Sequence, residues 1–154
     1  MTIQLNLQSD TVEVAKAENA VVVAPTDSIR EVFLLMKSHY VGSVLVCEDK
    51  KLIGIYTERD AVKAMVEEVD LDLPISTVMV KEPITISEGA PLATAIRMRA
   101  TGRCRRLPIV TAEQQLVGIV KVSGILHYFV EHFPETVFNL PPEPNIVMSE
   151  REGA

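Results

Sequence analysis

Two side chains suited to binding a polyhydroxylated anion, Thr57 and Asp60, follow directly on an apolar run at residues 52–56. If a strand ends at Thr57 and a helix begins at Asp60, the hydroxyl and the carboxylate lie at one mouth. The first backbone N–H groups of that helix, which have no partner within it, lie there too. Residues 54–60 are therefore the first candidate binding site. Asp60 is also explained as a helix cap, and the two roles can coexist.

Arginines form a second candidate group, since five of them fall between residues 97 and 106 of a chain whose formal net charge is −6. Neighbouring residues on a strand face opposite sides, so at least one of Arg105 and Arg106 can face a cleft. Guanidinium groups suit phosphate, and this pair therefore predicts an anion site. A solvated, salt-bridged helix face explains the whole group, with Arg97, Arg99 and Arg103, equally well.

The elements around the first candidate follow the order β-α-β-β-α. Residues 21–23, 42–47 and 52–56 are predicted strands, and a polar hairpin turn is predicted at residues 48–51. A turn and a helix cap are predicted at residues 25–28. Apolar positions at helical spacing predict one helix after that cap, ending near His39, and another after Thr57. These positions are Ile29, Val32, Phe33 and Met36 in the first helix and Val62, Met65, Val66 and Val69 in the second.

The same order begins again after residue 76, which indicates an internal repeat. Equivalent positions are 63 residues apart before the hairpin turn and 64 after it. Two copies, each too small for a good core alone, should pack sheet against sheet about a pseudo-two-fold axis in an α/β (α+β) fold. Alternating apolar positions within residues 1–20 predict a further short strand. In the second copy, strands are predicted at residues 84–86, 105–110 and 118–120, and helices are predicted around Leu92, Ala95 and Ile96 and around Leu126, Phe129, Val130 and Phe133.

The repeated unit resembles the tandem cystathionine-β-synthase (CBS) domain pair, also called a Bateman module. The stretch Gly-Ile-Tyr-Thr-Glu-Arg-Asp is similar to that family's nucleotide-binding signature, in which an apolar strand precedes Thr or Ser, two variable residues and Asp. The resemblance is carried by residues 22–29, 42–60, 83–86 and 105–120. We therefore expect a single module over residues 1–133, with a first repeat at 10–70, a second repeat at 71–133 and a proline-containing tail at 134–154.

The resemblance implies regulatory binding of AMP, ADP or ATP in a cleft between the repeats, with energy state signalled by a change of conformation or assembly. In such proteins the Asp equivalent to Asp60 holds the ribose hydroxyls. The expected contacts to ribose and phosphate are Thr57, Arg59, Asp60, Arg105 and Arg106, and the expected contacts to adenine are Ile75, Val78 and Met79. Solvent exposure explains Arg59 equally well, and ordinary core packing explains the three apolar residues.

The second copy departs from the signature at both chemical positions. Lys121 stands where the first copy has Thr57, and Gly124 stands where it has Asp60. No carboxylate remains there to hold a ribose, unless Lys121 serves a more anionic ligand or the phosphates of the first site. The sequence therefore predicts one competent nucleotide site and one degenerate site in each chain.

Composition and the remaining motifs narrow the class of function. An acidic chain without a basic run and interleaved aromatics is not expected to bind nucleic acid. No apolar run approaches the ~20 residues of a membrane span, and residues 1–20 lack the pattern of a signal peptide, so a cytoplasmic protein is expected. Cys47 and Cys104 are predicted to be small buried side chains. No catalytic, metal-ligand or phosphate-loop pattern is found, so we expect no enzyme and no required cofactor.

Three functional hypotheses remain open from the sequence. The leading one is a homodimeric sensor of adenine nucleotides, whose candidate dimer surfaces are the helices carrying Met65 and Phe129. The second is a ligand-free scaffold that dimerises or docks a regulated protein partner, for example through the tail. The third is a receptor for another adenosine-containing small molecule, S-adenosylmethionine or NAD, or for a cyclic dinucleotide.

Overall fold

The computed structural model describes residues 9–17, 20–102 and 106–132. Two short 3-10 helices, Val12–Ala15 and Ile75–Thr77, accompany the elements of the two sheets. The first part of the chain forms β1 (Lys16–Ala17), β2 (Val22–Val23), α1 (Ile29–Ser38), β3 (Ser43–Glu48), β4 (Lys51–Thr57) and α2 (Glu58–Val66). The second part forms β5 (Val80–Lys81), β6 (Ile86–Ser87), α3 (Leu92–Ala100), β7 (Leu107–Val110), β8 (Leu116–Val120) and α4 (Val122–His132).

The strands form two four-stranded sheets, ordered β2-β3-β4-β5 and β1-β8-β7-β6. In each sheet one parallel pair, β2 with β3 or β6 with β7, is followed by an antiparallel hairpin. The fourth strand of each sheet comes from the other repeat: β5 pairs with β4, and β1 pairs with β8. The predicted α/β fold of two β-α-β-β-α repeats is confirmed, while the sheets cross the predicted sequence boundary at residues 70 and 71.

Backbone hydrogen bonds between the repeats come in equivalent pairs, as a pseudo-two-fold axis requires. The N–H of Ile29 donates to the carbonyl oxygen of Leu73 at 3.0 Å, and 63 residues later the N–H of Leu92 donates to that of Asp10 at 2.7 Å. The two hairpins also meet. The N–H of Leu52 donates to the carbonyl oxygen of Gln114, and the N–H of Leu116 donates to that of Lys50, each at 3.1 Å.

Apolar side chains fill three layers of the molecule. Leu45 and Leu52 of the first sheet meet Val110 and Ile119 of the second, and this contact joins the two sheets. Beneath the helices each repeat has its own core. The first includes Val23, Ile29, Val32, Met36, Val44, Val46, Tyr56 and Ile75, and the second includes Val12, Ala15, Ile86, Leu92, Ala95, Leu107, Ile109, Val120, Ile125 and Tyr128.

Local signals place the ends of several elements where the sequence predicts them. Ser28 caps α1, since its hydroxyl oxygen accepts the backbone N–H of Glu31 at 3.2 Å while its own N–H donates to the Glu31 carboxylate at 2.8 Å. The first hairpin turns at Asp49 and Lys50, whose φ angles of 48° and 68° are typical of a tight two-residue turn. Lys51, predicted in that turn, instead begins β4. The alternating apolar positions within residues 1–20 do not form the predicted strand where they are described, because Val12 and Val14 lie in the 3-10 helix Val12–Ala15 and β1 follows at Lys16–Ala17. Residues 1–8 lie outside the described part.

Of the four apolar residues predicted for α2, Val69 lies beyond the end of the helix and packs against the first core, whereas the other three do not pack into the core. Val62 is 60% exposed, Met65 61% and Val66 78%, and Ala64 is the buried residue of this helix. Because Ala64, a small residue, faces the sheet, the larger apolar residues of α2 lie on the outer surface of the helix. Phe133 and the tail at residues 134–154 lie outside the described residues.

The two repeats distribute their buried aromatic volume in opposite ways. In the first repeat Tyr56 lies on the strand and Ala64 on the helix, while in the second Val120 lies on the strand and Tyr128 on the helix. The hydroxyl of Tyr128 donates to the carboxylate of Asp10. Burial, followed by this hydrogen bond and the charge of Asp10, raises the pKa of Tyr128 to about 12. The aromatic ring thereby ties the N-terminal segment to α4.

We expect the free energy of unfolding to fall between about pH 10 and about pH 12. In this range the unfolded tyrosine ionises near 10 while folded Tyr128 keeps its proton to about 12, so its contribution is full below pH 10 and is lost above. Chemical denaturation across this range should show a weaker pH dependence for Tyr128→Phe. Some dependence should remain, because burial also raises the pKa of Tyr56. Tyr40→Phe, at a residue 96% exposed, is the control that should leave the slope unchanged.

Candidate functional site

Thr57 and Asp60 form the junction between β4 and α2. Thr57 is the last residue of the strand and the N-cap of the helix, with extended φ and ψ of −122° and 167°. Oδ2 of Asp60 accepts the backbone N–H of Thr57 at 2.9 Å and its hydroxyl at 2.8 Å. The helix begins at Glu58 rather than at Asp60 as predicted, because these two bonds already fix the turn before it. The capping role of Asp60 is thus observed, and its ribose role stays a prediction.

A cleft of about 510 Å³ opens beside this junction, within the size range of small-molecule sites. Both repeats contribute to its walls, so the cleft lies between them. Of the residues predicted from the sequence, it contains Thr57, Arg59 and Arg106. Its full lining is Gly42, Ser43, Ile55, Thr57, Glu58, Arg59, Val80, Glu82, Pro83, Ile84, Gly102 and Arg106. The first candidate site and one of the arginines therefore meet across one cavity.

Asp60 lies one hydrogen bond behind the cleft wall, through Thr57. Its negative charge also reaches the first core, where it adds to the effect of burial and raises the pKa of Tyr56. The Tyr56 hydroxyl is itself buried and meets no hydrogen-bond partner among the residues that the structure describes. The Asp60 carboxylate therefore lies between Thr57 at the cleft and Tyr56 in the first core.

The apolar wall of the cleft is built by residues that sequence reasoning missed. Val80 and Ile84 are 48% and 50% exposed, and together with Pro83 and Ile55 they line the cavity. Apolar side chains held open to solvent at a cleft offer a surface for a flat ring. Val80 lies in a strand of two residues and Ile84 in the segment after it, so no periodic pattern in the sequence could single them out.

The three residues predicted to contact adenine lie elsewhere. Ile75 is fully buried in the first core, and Val78 packs against the same core. Met79 lines a neighbouring open groove of about 820 Å³, which shares Glu82 and Pro83 with the cleft. The physical reason is the 3-10 helix Ile75–Thr77, which turns this stretch inward before the chain reaches the cleft. The cleft geometry therefore does not favour that prediction.

The arginine group does not converge on the cleft as a whole. Arg106, directly before β7, is half-buried and lines the cavity, whereas Arg103 and Arg105 lie outside the described residues. Arg97 is exposed on α3, where its Nε donates to the carbonyl of Ala93 at 3.4 Å. Arg99 also lies on α3 and is not among the residues lining the cleft. Of the three arginines of this group that the structure describes, Arg106 alone lies at the candidate site.

Two carboxylates that the sequence did not single out also line the cleft. The backbone N–H of Glu58 donates to the carbonyl of Gly42 at 3.0 Å. Its carboxyl atoms lie 3.0–3.2 Å from where a Cβ on Gly42 would be, so the glycine leaves room for this side chain. Glu82, directly after β5, also lines the cleft and has a φ of 50°, a left-handed conformation that is uncommon for glutamate.

Other chemistry finds little support in the described part of the chain. Within it, no group of His, Cys, Asp and Glu is arranged to hold a metal ion. Cys47 is half-buried, and burial raises the pKa of its thiol, while Cys104 is not described. None of the described helices combines the length and the apolar character needed to cross a membrane.

The second copy has no room for a carboxylate at the position equivalent to Asp60. A Cβ on Gly124 would lie 2.5 Å from the backbone oxygen of Ala15, which belongs to the 3-10 helix Val12–Ala15 packed on α4. Lys121, at the position of Thr57, is half-buried before α4. The missing carboxylate is therefore linked to the backbone packing of the N-terminal segment.

Comparison with known proteins identifies the family. A model of the CBS domain matches residues 13–67 and again residues 75–131. The chain therefore belongs to the CBS domain family and carries a tandem pair of these domains. Both matched stretches contain one β-α-β-β-α unit of the fold described above.

Relatives extend this assignment over most of the described chain. The CBS domain-containing protein YhcV of Bacillus subtilis is 36% identical over 104 residues, which are 67% of this chain and 74% of YhcV. An uncharacterized 17.7 kDa protein of Acidianus ambivalens is 34% identical over 105 residues, which are 68% of this chain. The chain spans 63% of the length of that relative.

Solved structures share the fold. The CBS domain protein PAE2072 from Pyrobaculum aerophilum, complexed with AMP, has a TM-score of 0.64 at 26% identity and covers 74% of this chain and 88% of its own. The CBS domain pair of protein MJ0100, in complex with 5-methylthioadenosine and S-adenosyl-L-methionine, has a TM-score of 0.67 at 22% identity, over 79% of this chain and 97% of that chain. The second likeness shows the fold alone.

We expect Gly124→Ala to lower the free energy of unfolding by about 1–2 kcal/mol, because the new methyl group would press on a backbone carbonyl. Urea denaturation measures this. Gly89→Ala is the matched control, since no atom lies within 4 Å of a Cβ there, and it should change stability by less than about 0.5 kcal/mol. Stabilisation of Gly124→Ala by about 1 kcal/mol, the gain from helix propensity alone, would contradict the tight contact.

Proposed function

We propose that this protein is a non-enzymatic regulatory module that binds an adenosine compound in the cleft beside Thr57. The observation that carries the proposal is the Thr57–Asp60 junction, placed on a cleft between two CBS domains. The ligand range proposed first is AMP, ADP or ATP. The AMP complex of PAE2072 supports the adenine nucleotide, and the ligands of MJ0100 also contain adenosine.

The ribose is assigned to the strand–helix junction. Oδ2 of Asp60 is engaged by Thr57, and no bond to Oδ1 is found among the described residues, so that oxygen can accept ribose hydroxyls. The bonds from Thr57 also fix the carboxylate in place, which reduces the conformational entropy lost when a ligand binds. Hydrogen bonds to a charged group contribute roughly 1.5–3 kcal/mol each.

The base and the phosphate are assigned to different residues of the cleft lining. Val80, Pro83 and Ile84 supply the apolar surface on which a flat adenine ring can pack. Arg59 and Arg106 supply guanidinium groups for phosphate oxygens, and Arg105 remains a predicted partner outside the described residues. A cleft lined by both apolar and basic side chains can contact the base and the phosphate of the same nucleotide.

Signalling follows from the position of the cleft between the repeats. Ser43 and Thr57 belong to the first repeat, whereas Ile84 and Arg106 belong to the second. A ligand that contacts both favours the arrangement in which all contacts form, and it can shift the equilibrium only by its difference in affinity. We propose that this shift, or a change in assembly, is what a regulated protein partner detects.

A homodimer is part of the proposal. Val62, Met65 and Val66 make α2 apolar on its outer side, and Leu126 of α4 is 59% exposed. Phe129 is half-buried against the second core, so Leu126 presents more of α4 to a second copy than Phe129 does. Exposed apolar side chains that cluster on helices in this way are typical of a protein interface.

Calorimetric titration with AMP, ADP, ATP, S-adenosylmethionine and NAD tests the site. Asp60→Ala should weaken binding about 10- to 150-fold, because a charged hydrogen-bond acceptor for ribose is lost. Glu31→Ala is the matched control. Glu31 accepts the N–H and hydroxyl of Ser28 as Asp60 accepts those of Thr57, but it lies on α1 away from the cleft.

Both variants should lose about 1 kcal/mol of stability with the cap, and only Asp60→Ala should lose affinity. Equal affinity in the two variants would remove the ribose assignment. If the native protein binds none of the five compounds, the hypothesis of a ligand-free scaffold is favoured instead.

Analytical ultracentrifugation tests the dimer. Met65→Lys should shift the protein towards monomer, since a charge would be buried in an apolar interface. Leu34→Lys is its control, because Leu34 on α1 is equally exposed, at 61%, and belongs to neither helix of the proposed surface. A native protein that stays monomeric at high concentration would contradict the homodimer.

A further inference from the structure

The charges lining the cleft are balanced. Arg59 and Arg106 face the same cavity as Glu58 and Glu82, so the described lining carries two positive and two negative groups. Asp60, directly behind Thr57, adds another carboxylate nearby. A site built for a highly charged anion concentrates positive charge, and each carboxylate within reach of a phosphate opposes binding. The described lining therefore does not favour a ligand with many negative charges.

Glu58 is held in the cleft by local structure. Its backbone N–H is tied to Gly42, and its carboxyl atoms lie against the bare Cα of that glycine. A side chain at position 42 would collide with the carboxylate at about 3 Å. Glu58 is also the first residue of α2, so its position is fixed by the end of β4 and the start of the helix.

Glu82 lines the same cleft from the segment that follows β5. Its left-handed backbone, with φ of 50°, costs a non-glycine residue free energy that a glycine would not lose. Its side chain lines both the cleft and the neighbouring groove. Carboxylates thus approach the cavity from two separate elements.

We propose that the cleft selects adenosine compounds with at most one phosphate, and that Glu58 is the residue that discriminates against longer phosphate chains. The inference rests on the proposed function and narrows it to nucleoside monophosphates and to sulfonium nucleosides, which share the adenosine and a low negative charge. ATP carries about two more negative charges than AMP, and the carboxylate of Glu58 repels each of them. Specificity here arises from repulsion of the wrong ligand as well as from attraction of the right one.

Calorimetric titration of the full chain with AMP, ATP and S-adenosylmethionine, in magnesium-free buffer of constant ionic strength, tests this inference. The native protein should bind AMP more tightly than ATP. In Glu58→Gln, which keeps the size of the side chain, the ratio of the ATP and AMP dissociation constants should fall about fivefold. Glu82→Gln should act in the same direction.

Glu48→Gln is the matched control, because it removes one negative charge from the opposite end of β3, about 16 Å from Ser43 along the strand. Its ratio should equal that of the native protein. Tighter binding of ATP than of AMP by the native protein, or an unchanged ratio in Glu58→Gln, would overturn the charge selection while leaving adenosine binding intact. Failure of every adenosine compound to bind would overturn the proposed function as well.

Discussion

The exchange of a strand and of backbone hydrogen bonds between the two repeats is the constraint on which the molecule depends. Each sheet is completed by a two-residue strand of the other repeat, β5 on β4 and β1 on β8. Equivalent bonds then lock the start of each central helix, at Ile29 and at Leu92. Because neither sheet is complete without the other repeat, the cleft walls are held in one frame and a ligand between them acts on both halves.

Within this symmetric frame the two strand–helix junctions, Thr57–Asp60 and Lys121–Gly124, differ for packing reasons. The N-terminal segment lies so close to α4 that only glycine fits at position 124, whereas the first repeat accommodates Asp60 at the equivalent position. The aromatic volume follows the same asymmetry, with Tyr128 tied to Asp10 in the second repeat and the Tyr56 hydroxyl close to the charge of Asp60 in the first. The side chains proposed to bind the ribose thus lie at one of the two junctions.

The sequence predicts the fold well because long-range symmetry and strong local signals agree. Helical spacing, the Ser28 cap and the Asp49–Lys50 turn fix the elements, and the repeat fixes their relation. The site is only partly predictable. Thr57 and Arg106 carry recognisable chemistry, but Val80 lies in a strand of two residues and Ile84 in the segment after it, and both are too short to leave a periodic pattern. Glu58 lines the cleft as the first residue of α2, where a charged residue is ordinarily explained by solvent exposure. The spacing of apolar residues did not predict that α2 leaves its larger apolar side chains exposed. Ala64, the buried residue of this helix, sets how closely α2 lies against the sheet.

The central claim is that one of the two equivalent strand–helix junctions binds the ligand, and backbone amide NMR during titration with AMP tests it most directly. The account predicts chemical-shift changes for the amides of Ser43, Thr57 and Ile84, which line the cleft. The chemical shifts of the Lys121 and Gly124 amides, at the equivalent junction of the second repeat, should not change. Shifts confined to Lys121 and Gly124, or equal at both junctions, would contradict the account.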